Sequence, residues 1–239
     1  MKVVKWLGWA LVLGLVIISF MNASWLVGEP TGTLKMIASR TAGKAGCPSL
    51  ESMRRAVIDS GGRLLIDVPG APGCDAMAQA LTQLPRYEYI IRVGDAAKAL
   101  AVFDRLKRPI DERYSFTGDT AAIAIIRAHA PKAWSWTVQE GRTCFADYVV
   151  RGWLGLVPDS CAGKTMLVPL DQKWKVAGWP KRFMARMEAA GTRVIVTDSD
   201  TGSGLKGIDQ LDQIPQVPRD YNGYLWVDDA ALIGPAIRR

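Results

Sequence analysis

The chain has few of the residues on which most hydrolytic sites depend. It contains one histidine, His129, and its four cysteines show no C-x-x-C spacing. No glycine-rich phosphate-binding loop follows the first strand-like run. His129 falls late in a predicted helix, just before Pro131. General acid–base catalysis by imidazole is therefore nearly excluded, and a structural zinc site is not expected.

Charge is absent from residues 6–28, which form a long apolar run after Lys2 and Lys5. Roughly 20 helical residues cross a hydrocarbon core of about 30 Å, so the run predicts a transmembrane helix. The preceding lysines predict a cytoplasmic amino terminus and a periplasmic or extracellular carboxyl-terminal domain. No clean A-x-A cleavage pattern surrounds Ala23. We therefore predict that residues 1–28 form a single-pass inner-membrane anchor; a cleaved signal peptide and a secreted domain are the alternative.

The remaining residues, 29–239, suit one domain. The net charge is +7, and the basic residues are scattered along the chain. This distribution favours proximity to anionic membrane lipid over nucleic-acid binding. An even number of cysteines in an exported domain permits disulfides. Their spacing favours Cys47 with Cys74 and Cys144 with Cys161, and free, partly buried thiols are the alternative.

Short apolar runs alternate with segments of helical periodicity, a pattern typical of repeated βα units. Strands are predicted at 34–38, 63–68, 87–93, 113–116, 133–138, 164–170, 192–198 and 224–228. Asp119 is predicted to cap a helix over 120–130, whereas the Trp- and Gly-containing stretch after the fifth strand has no definite assignment. Eight strands predict a (β/α)8 barrel, with a doubly wound open sheet as the alternative. In a barrel, functional side chains lie at the carboxyl ends of strands. The candidates there are Ser39, Arg40, Asp67, Arg92, Gly94, Ser115, Trp136, Asp171, Asp198 and Asp228.

Two stretches resemble the glycerophosphodiester phosphodiesterase family. Residues 36–40 are similar to its Ala-His-Arg-Gly strand end, and residues 62–68 to its Gly-x-x-x-x-Glu-x-Asp-Val strand. The closing stretches 194–198 and 222–229 are also similar, and the likeness extends over most of 34–236. The resemblance implies a TIM-barrel phosphoric diester hydrolase that uses a divalent cation, several carboxylates and two imidazoles.

Most of that apparatus is missing from the corresponding positions. Ser39 stands where the family has its first histidine, and the second histidine has no counterpart in 69–74. Leu65 replaces a metal-binding glutamate, and Arg92 stands where a further metal-binding carboxylate is expected. The resemblance therefore implies a degenerate catalytic site, and whether the chain is an enzyme stays open.

Arg40 and Asp67 are retained from the family pattern. Asp67 is at best a weak metal ligand alone, because Mg²⁺ and Ca²⁺ need several oxygen ligands, so no cofactor is expected. Arg40, Asp67 and Arg92, together with Ser39, are predicted to form a metal-free pocket for phosphate oxygens. A buried ion pair between Asp67 and Arg92 is the alternative. The loop after the sixth strand adds candidates for the mouth of the pocket: Lys173, Trp174, Lys175 and Trp179.

The leading hypothesis is a membrane-anchored, extracytoplasmic protein that is catalytically degenerate. It would bind phospholipid head-group phosphodiesters or act in envelope assembly. One alternative is an active phosphoric diester hydrolase whose Mg²⁺ or Ca²⁺ site is built from Asp67, Asp171, Asp198 or Asp228. The other is a scaffold that binds envelope proteins and no ligand.

Overall fold

The computed structural model describes residues 2–28, 33–39, 63–68, 88–95, 110–200 and 204–237. The helices are α1 (Lys2–Met21), α2 (Thr120–His129), α3 (Val138–Arg151), α4 (Lys181–Ala189) and α5 (Ala230–Ile237). Short 3-10 helices lie at Ser24–Leu26, Gly152–Leu154, Leu170–Lys175 and Leu211–Gln216. The strands are β1 (Lys35–Ala38), β2 (Arg63–Val68), β3 (Glu88–Val93), β4 (Tyr114–Gly118), β5 (Trp134–Trp136), β6 (Thr165–Pro169), β7 (Arg193–Thr197), β8 (Ser199–Asp200), β9 (Leu205–Lys206) and β10 (Tyr224–Val227).

Eight of these strands form one parallel sheet in the order β5-β4-β3-β2-β1-β10-β7-β6. Strands β8 and β9 form a separate antiparallel pair. The chain therefore has a mixed α/β fold, and the eight strands predicted from the sequence coincide with those of the sheet. In the ladder between β2 and β3, Asp67 lies opposite Arg92.

The sheet is strongly curled. The rings of Trp136 on β5 and Trp226 on β10 lie 6.0 Å apart, although their strands are five places apart in the sheet. In a flat sheet those strands would be about 24 Å apart, since neighbouring strands are spaced by about 4.8 Å. The curl brings side chains from six strands into one cluster on the concave face: Ile37, Ile90, Trp134, Trp136, Leu167, Ile195 and Trp226.

The predicted closed (β/α)8 barrel is wrong for the described part of the chain. The edge strands β5 and β6 approach each other, and the Trp134 Nε1–H donates to Thr165 Oγ1 at 2.8 Å. No backbone ladder joins these two strands among the described residues. Helix α3 begins two residues after β5 and packs its Gly141 on Leu167 of β6; a Cβ on Gly141 would lie 2.5 Å from Leu167 Cγ. Helix α3 thus packs against the edge strand β6, and the sheet is open between β5 and β6 in the described part of the chain.

The convex face of the sheet packs under the helices. Side chains alternate between the two faces of a strand, so Val168, Val196 and Leu225 belong to this second cluster. Helix α2 contributes Ile123 and Ile126 to it. As the sequence predicts, Asp119 caps α2, and its Oδ1 accepts a hydrogen bond from the Ala122 N–H at 2.7 Å. The main hydrophobic core therefore lies between the sheet and its helices.

Helix α1 is attached to the rest of the chain at its carboxyl-terminal end. The Arg186 Nη2–H donates to the Met21 carbonyl oxygen at 2.8 Å, and the Asn22 side chain donates to the Trp153 carbonyl oxygen at 2.8 Å. Among the described residues, no helix is both long and apolar enough to cross a membrane. The predicted single-pass inner-membrane anchor is therefore wrong.

A disulfide joins α3 to the turn before β6. It links Cys144 with Cys161, as the spacing predicts, and both residues are fully buried. The Thr192 hydroxyl donates to the Cys161 carbonyl oxygen at 2.7 Å and ties the same turn to the start of β7. The other predicted partners, Cys47 and Cys74, lie outside the described residues.

Candidate ligand site at the carboxyl ends of the strands

The candidate site lies where the concave face meets the carboxyl ends of the parallel strands. Residues two positions beyond members of the concave cluster share their face, because side chains alternate along a strand. This rule places Ser39, Arg92, Thr197 and Asp228 on the concave face, near the carboxyl ends of their strands. Asp67 lies opposite Arg92 in the ladder between β2 and β3; its side chain is not among those described. Arg40 lies outside the described residues.

Ser39 and Asp228 form a pair across the neighbouring strands β1 and β10. The Ser39 hydroxyl donates to Asp228 Oδ1, and the backbone N–H of Gly207 donates to Asp228 Oδ2 at 3.0 Å. A Cβ on Gly207 would lie 2.6 Å from this carboxylate, so glycine permits the close approach. The pair orients both side chains. It differs from the hydroxyl–imidazole pair that activates a serine nucleophile.

Asp198, which follows β7, is held by two side chains. The Lys206 ammonium lies 2.7 Å from Asp198 Oδ2, and the Gln213 amide donates to Oδ1 at 2.5 Å. The hydrogen bond to Asp198 raises the pKa of Lys206 above its ordinary value. Both oxygens of the Asp198 carboxylate therefore already have partners.

A third charged pair borders a small cavity beside α3. The Arg142 Nε–H donates to Asp200 Oδ2 at 2.6 Å, and the guanidinium also contacts the second carboxylate oxygen. The pair borders a cavity of about 300 Å³ whose wall includes Leu167 and Pro169 of β6. The planar guanidinium matches both carboxylate oxygens, so this arrangement fixes α3 to the segment after β7.

Two buried polar atoms at this end have no hydrogen-bond partner in the described structure. They are Trp136 Nε1 on β5 and Thr197 Oγ1 on β7. Trp136 is 1 % exposed and Thr197 is fully buried. Leaving a buried polar group unpaired costs about 1–3 kcal/mol, and such groups are rare in folded proteins. A ligand that supplied an oxygen to the indole N–H and a partner to the hydroxyl would recover that cost.

The loop after β6 leaves Trp174 exposed and packs Trp179 against the core. Trp174 is 72 % exposed, whereas Trp179 stacks on Tyr221 with ring centroids 5.5 Å apart. The Lys173 ammonium donates to the Gln216 carbonyl oxygen at 2.6 Å, and burial lowers its pKa. The prediction for Trp179 is wrong, because that ring packs against the core.

Among the described side chains, the donor set does not fit the divalent cation that the family resemblance implies. Asp198 and Asp228 are each engaged by internal partners. Asp171 is exposed on the 3-10 helix after β6, and Arg92 adds positive charge where a carboxylate would be needed. No group of three histidine, cysteine or acidic side chains that could hold a metal occurs in the described part of the chain. His129 is exposed in the last turn of α2, away from the strand ends.

Sequence reasoning placed some site residues correctly and missed others. Ser115, predicted at a strand end, is the second residue of β4 and accepts a hydrogen bond from Arg63 at 3.0 Å. The residues that were missed are Arg142, Thr197, Asp200, Lys206 and Gln213. Thr197 had a usable signal, since it precedes Asp198 at the end of a strongly apolar strand. The others come from a helix, a short hairpin and a 3-10 segment that carry no strand-end signal.

No family model matches the chain, and no curated protein and no solved structure is significantly similar to it. The resemblance to glycerophosphodiester phosphodiesterases therefore stays a prediction.

Proposed function

We propose that this chain binds a phosphodiester head group of the glycerophosphodiester class at the carboxyl ends of its parallel strands and does not hydrolyse it. The observation that carries the proposal is the pair of buried, unpaired polar atoms on Trp136 and Thr197. They lie at the same end of the sheet as Arg92, which is exposed. An indole N–H, a hydroxyl and a guanidinium are suited to the oxygens of one phosphodiester.

The proposed lack of turnover rests on the state of three acidic side chains near the strand ends. Phosphodiester hydrolysis with a metal ion needs carboxylates that are free to bind the cation, and a group that moves protons. Asp198, Asp200 and Asp228 are each bonded within the protein. Imidazole cannot serve, because the chain has one histidine and it lies on α2. These features support binding without catalysis.

The binding half of the proposal is tested by calorimetric titration of the full chain with glycerophosphocholine. Trp136→Phe keeps an aromatic ring and removes the N–H donor, so the dissociation constant should rise by about tenfold or more, the loss of one hydrogen bond to an anionic phosphate oxygen. Arg92→Gln should weaken binding by about tenfold or more, because a charge-assisted bond is lost. Arg151→Gln, on the exposed end of α3, is the matched control and should bind like the native chain.

Two outcomes would overturn the proposed site. Saturable binding that is unchanged by both Trp136→Phe and Arg92→Gln would place the ligand elsewhere. If millimolar glycerophosphocholine did not bind, the proposal of head-group binding would be contradicted and the scaffold hypothesis favoured.

A further inference from the structure

A second cavity lies at the opposite end of the strands, on the convex face of the sheet. Its volume is about 580 Å³, within the range of about 300–1,000 Å³ of small-molecule pockets. Leu34 precedes β1 and Val217 lies in the segment before β10, so this cavity is at the amino-terminal end of these strands. The phosphodiester site proposed above lies at their carboxyl-terminal end. The two sites are therefore separate.

Nine of the ten residues that line this cavity are apolar. It is formed by one residue of the sheet, the end of α5 and the 3-10 segment before β10. The apolar lining includes Leu34, Leu211, Ile214, Val217, Leu225 and Ile237. These apolar side chains offer contact area and no hydrogen bonds, so they suit a hydrocarbon chain or another flexible apolar group.

One cation, Arg219, interrupts this apolar wall. Its guanidinium makes no hydrogen bond or ion pair with any part of the described structure, and it is exposed. The neighbouring carboxylate of Asp220 lies 3.3 Å from the Lys181 ammonium and is thereby paired. An apolar wall with one unpaired guanidinium at its edge is complementary to a molecule with a hydrocarbon chain and one anionic end.

We infer that this cavity binds a single-chain aliphatic carboxylate, with the chain against the apolar wall and the carboxylate on Arg219. The hydrocarbon provides most of the affinity, which rises with chain length by up to about fourfold for each added methylene until the cavity is full. The guanidinium provides selectivity for an acid over the corresponding alcohol.

The inference is tested with the full chain and 11-(dansylamino)undecanoic acid as a fluorescent probe, displaced by dodecanoate or by dodecan-1-ol. Arg219→Gln should weaken the binding of dodecanoate by about 1.5- to fivefold and leave the binding of dodecan-1-ol unchanged, because only the acid loses an ion pair at an exposed site. Ile214→Trp should narrow the cavity and weaken binding of the probe and of both competitors. Leu232→Trp is the matched control, since Leu232 is exposed on α5 and does not line the cavity.

A further variant guards against a folding defect in Ile214→Trp. Leu211→Asp places a negative charge at an exposed position of the wall and should also reject the acid. Exposed apolar side chains of α1 are the same in every variant, so probe taken up there does not alter the comparison. Equal probe binding by Ile214→Trp, Leu211→Asp and Leu232→Trp would overturn the inference. An Arg219→Gln variant whose affinities for dodecanoate and dodecan-1-ol equal those of the native chain would also overturn it.

Discussion

Removal of the disulfide between Cys144 and Cys161 should cost the fold about 3 kcal/mol. The two cysteines are separated by 17 positions in the chain. The chain-entropy relation for a closed loop of that length gives about 3 kcal/mol at 25 °C, through the wider ensemble open to the unfolded chain. Both side chains are fully buried, so the double substitution Cys144→Ala/Cys161→Ala also leaves small cavities that act in the same direction.

The assay is urea unfolding of the native chain and the double variant, followed by tryptophan fluorescence and by circular dichroism. Substitution is preferable to a reducing agent, because reductant would also act on any disulfide formed by Cys47 and Cys74. A loss of about 3 kcal/mol corresponds to a fall in Tm of roughly 6–12 °C for a domain of this size. The slope of the unfolding free energy against urea should increase, since the variant unfolds to a less constrained chain.

A loss below about 1 kcal/mol, with an unchanged slope, would refute this reasoning. It would mean that the segment between the two cysteines is already constrained in the unfolded chain. Free thiols at Cys144 and Cys161 in the native protein, detected by labelling and mass spectrometry, would contradict the structure itself.

Two other substitutions test local features of the fold. Gly118→Ala places a methyl group 2.0 Å from the Val93 carbonyl oxygen, so urea unfolding should show a loss of about 2 kcal/mol or more in the free energy of unfolding. Gly94→Ala, whose methyl group would enter open space, is the control and should show no such loss. Equal losses in the two variants would contradict the contact. Glu140→Gln removes the ion pair with Arg127, whose hydrogen bond is the largest cause of the lowered pKa of Glu140. Because the pKa of Glu140 is lower in the folded state, its ionisation stabilises the fold at pH values above the ordinary pKa of 4.5. This stabilisation is lost as the pH falls through the pKa of the folded state. At pH 7 the free energy of unfolding of the native chain should therefore exceed that of Glu140→Gln by about 0.5–1 kcal/mol, a value reduced for solvent exposure. The two free energies should converge in acid. A difference that stays constant from pH 7 to pH 2 would contradict the assignment.

The strand positions could be predicted because buried parallel strands are nearly continuous apolar runs. The predicted strand 63–68 coincides with β2, and the bounds of the other seven agree within two residues. The failure to close the barrel could not be predicted in this way. Closure depends on whether the edge strands β5 and β6 form a backbone ladder, and these strands are distant in the sequence and carry no shared local signal.

Helix α3 had a local signal that was overlooked. Thr137 and Glu140 form a capping box, in which the Thr137 hydroxyl accepts from the Glu140 N–H at 3.0 Å and the Glu140 carboxylate accepts from the Thr137 N–H at 3.1 Å. The T-x-x-E spacing is a known mark of a helix start. Gly141 and the mixed polarity of the following residues weakened the helical periodicity.

The candidate site was predictable in position and less so in composition. Ser39 and Asp228 follow apolar strands, and their strands are neighbours in the sheet. Their direct bond, and the engagement of Asp198 by Lys206 and Gln213, depend on side-chain geometry between distant segments. The positions of the apolar strands in the sequence indicate the end of the sheet at which functional side chains are expected. It cannot tell whether each carboxylate there already has an internal partner.

The central claim, binding without hydrolysis, is tested most directly by ³¹P NMR of glycerophosphocholine with an equimolar amount of the full chain, first with Mg²⁺ and then with Ca²⁺. One spectrum reports both events, because binding shifts or broadens the phosphodiester resonance and hydrolysis produces a phosphomonoester resonance. The proposal predicts a shift that Trp136→Phe and Arg92→Gln diminish, and no monoester with either cation. A monoester that accumulates with the native chain and disappears with Asp67→Ala would contradict the claim and show an active metal-dependent hydrolase.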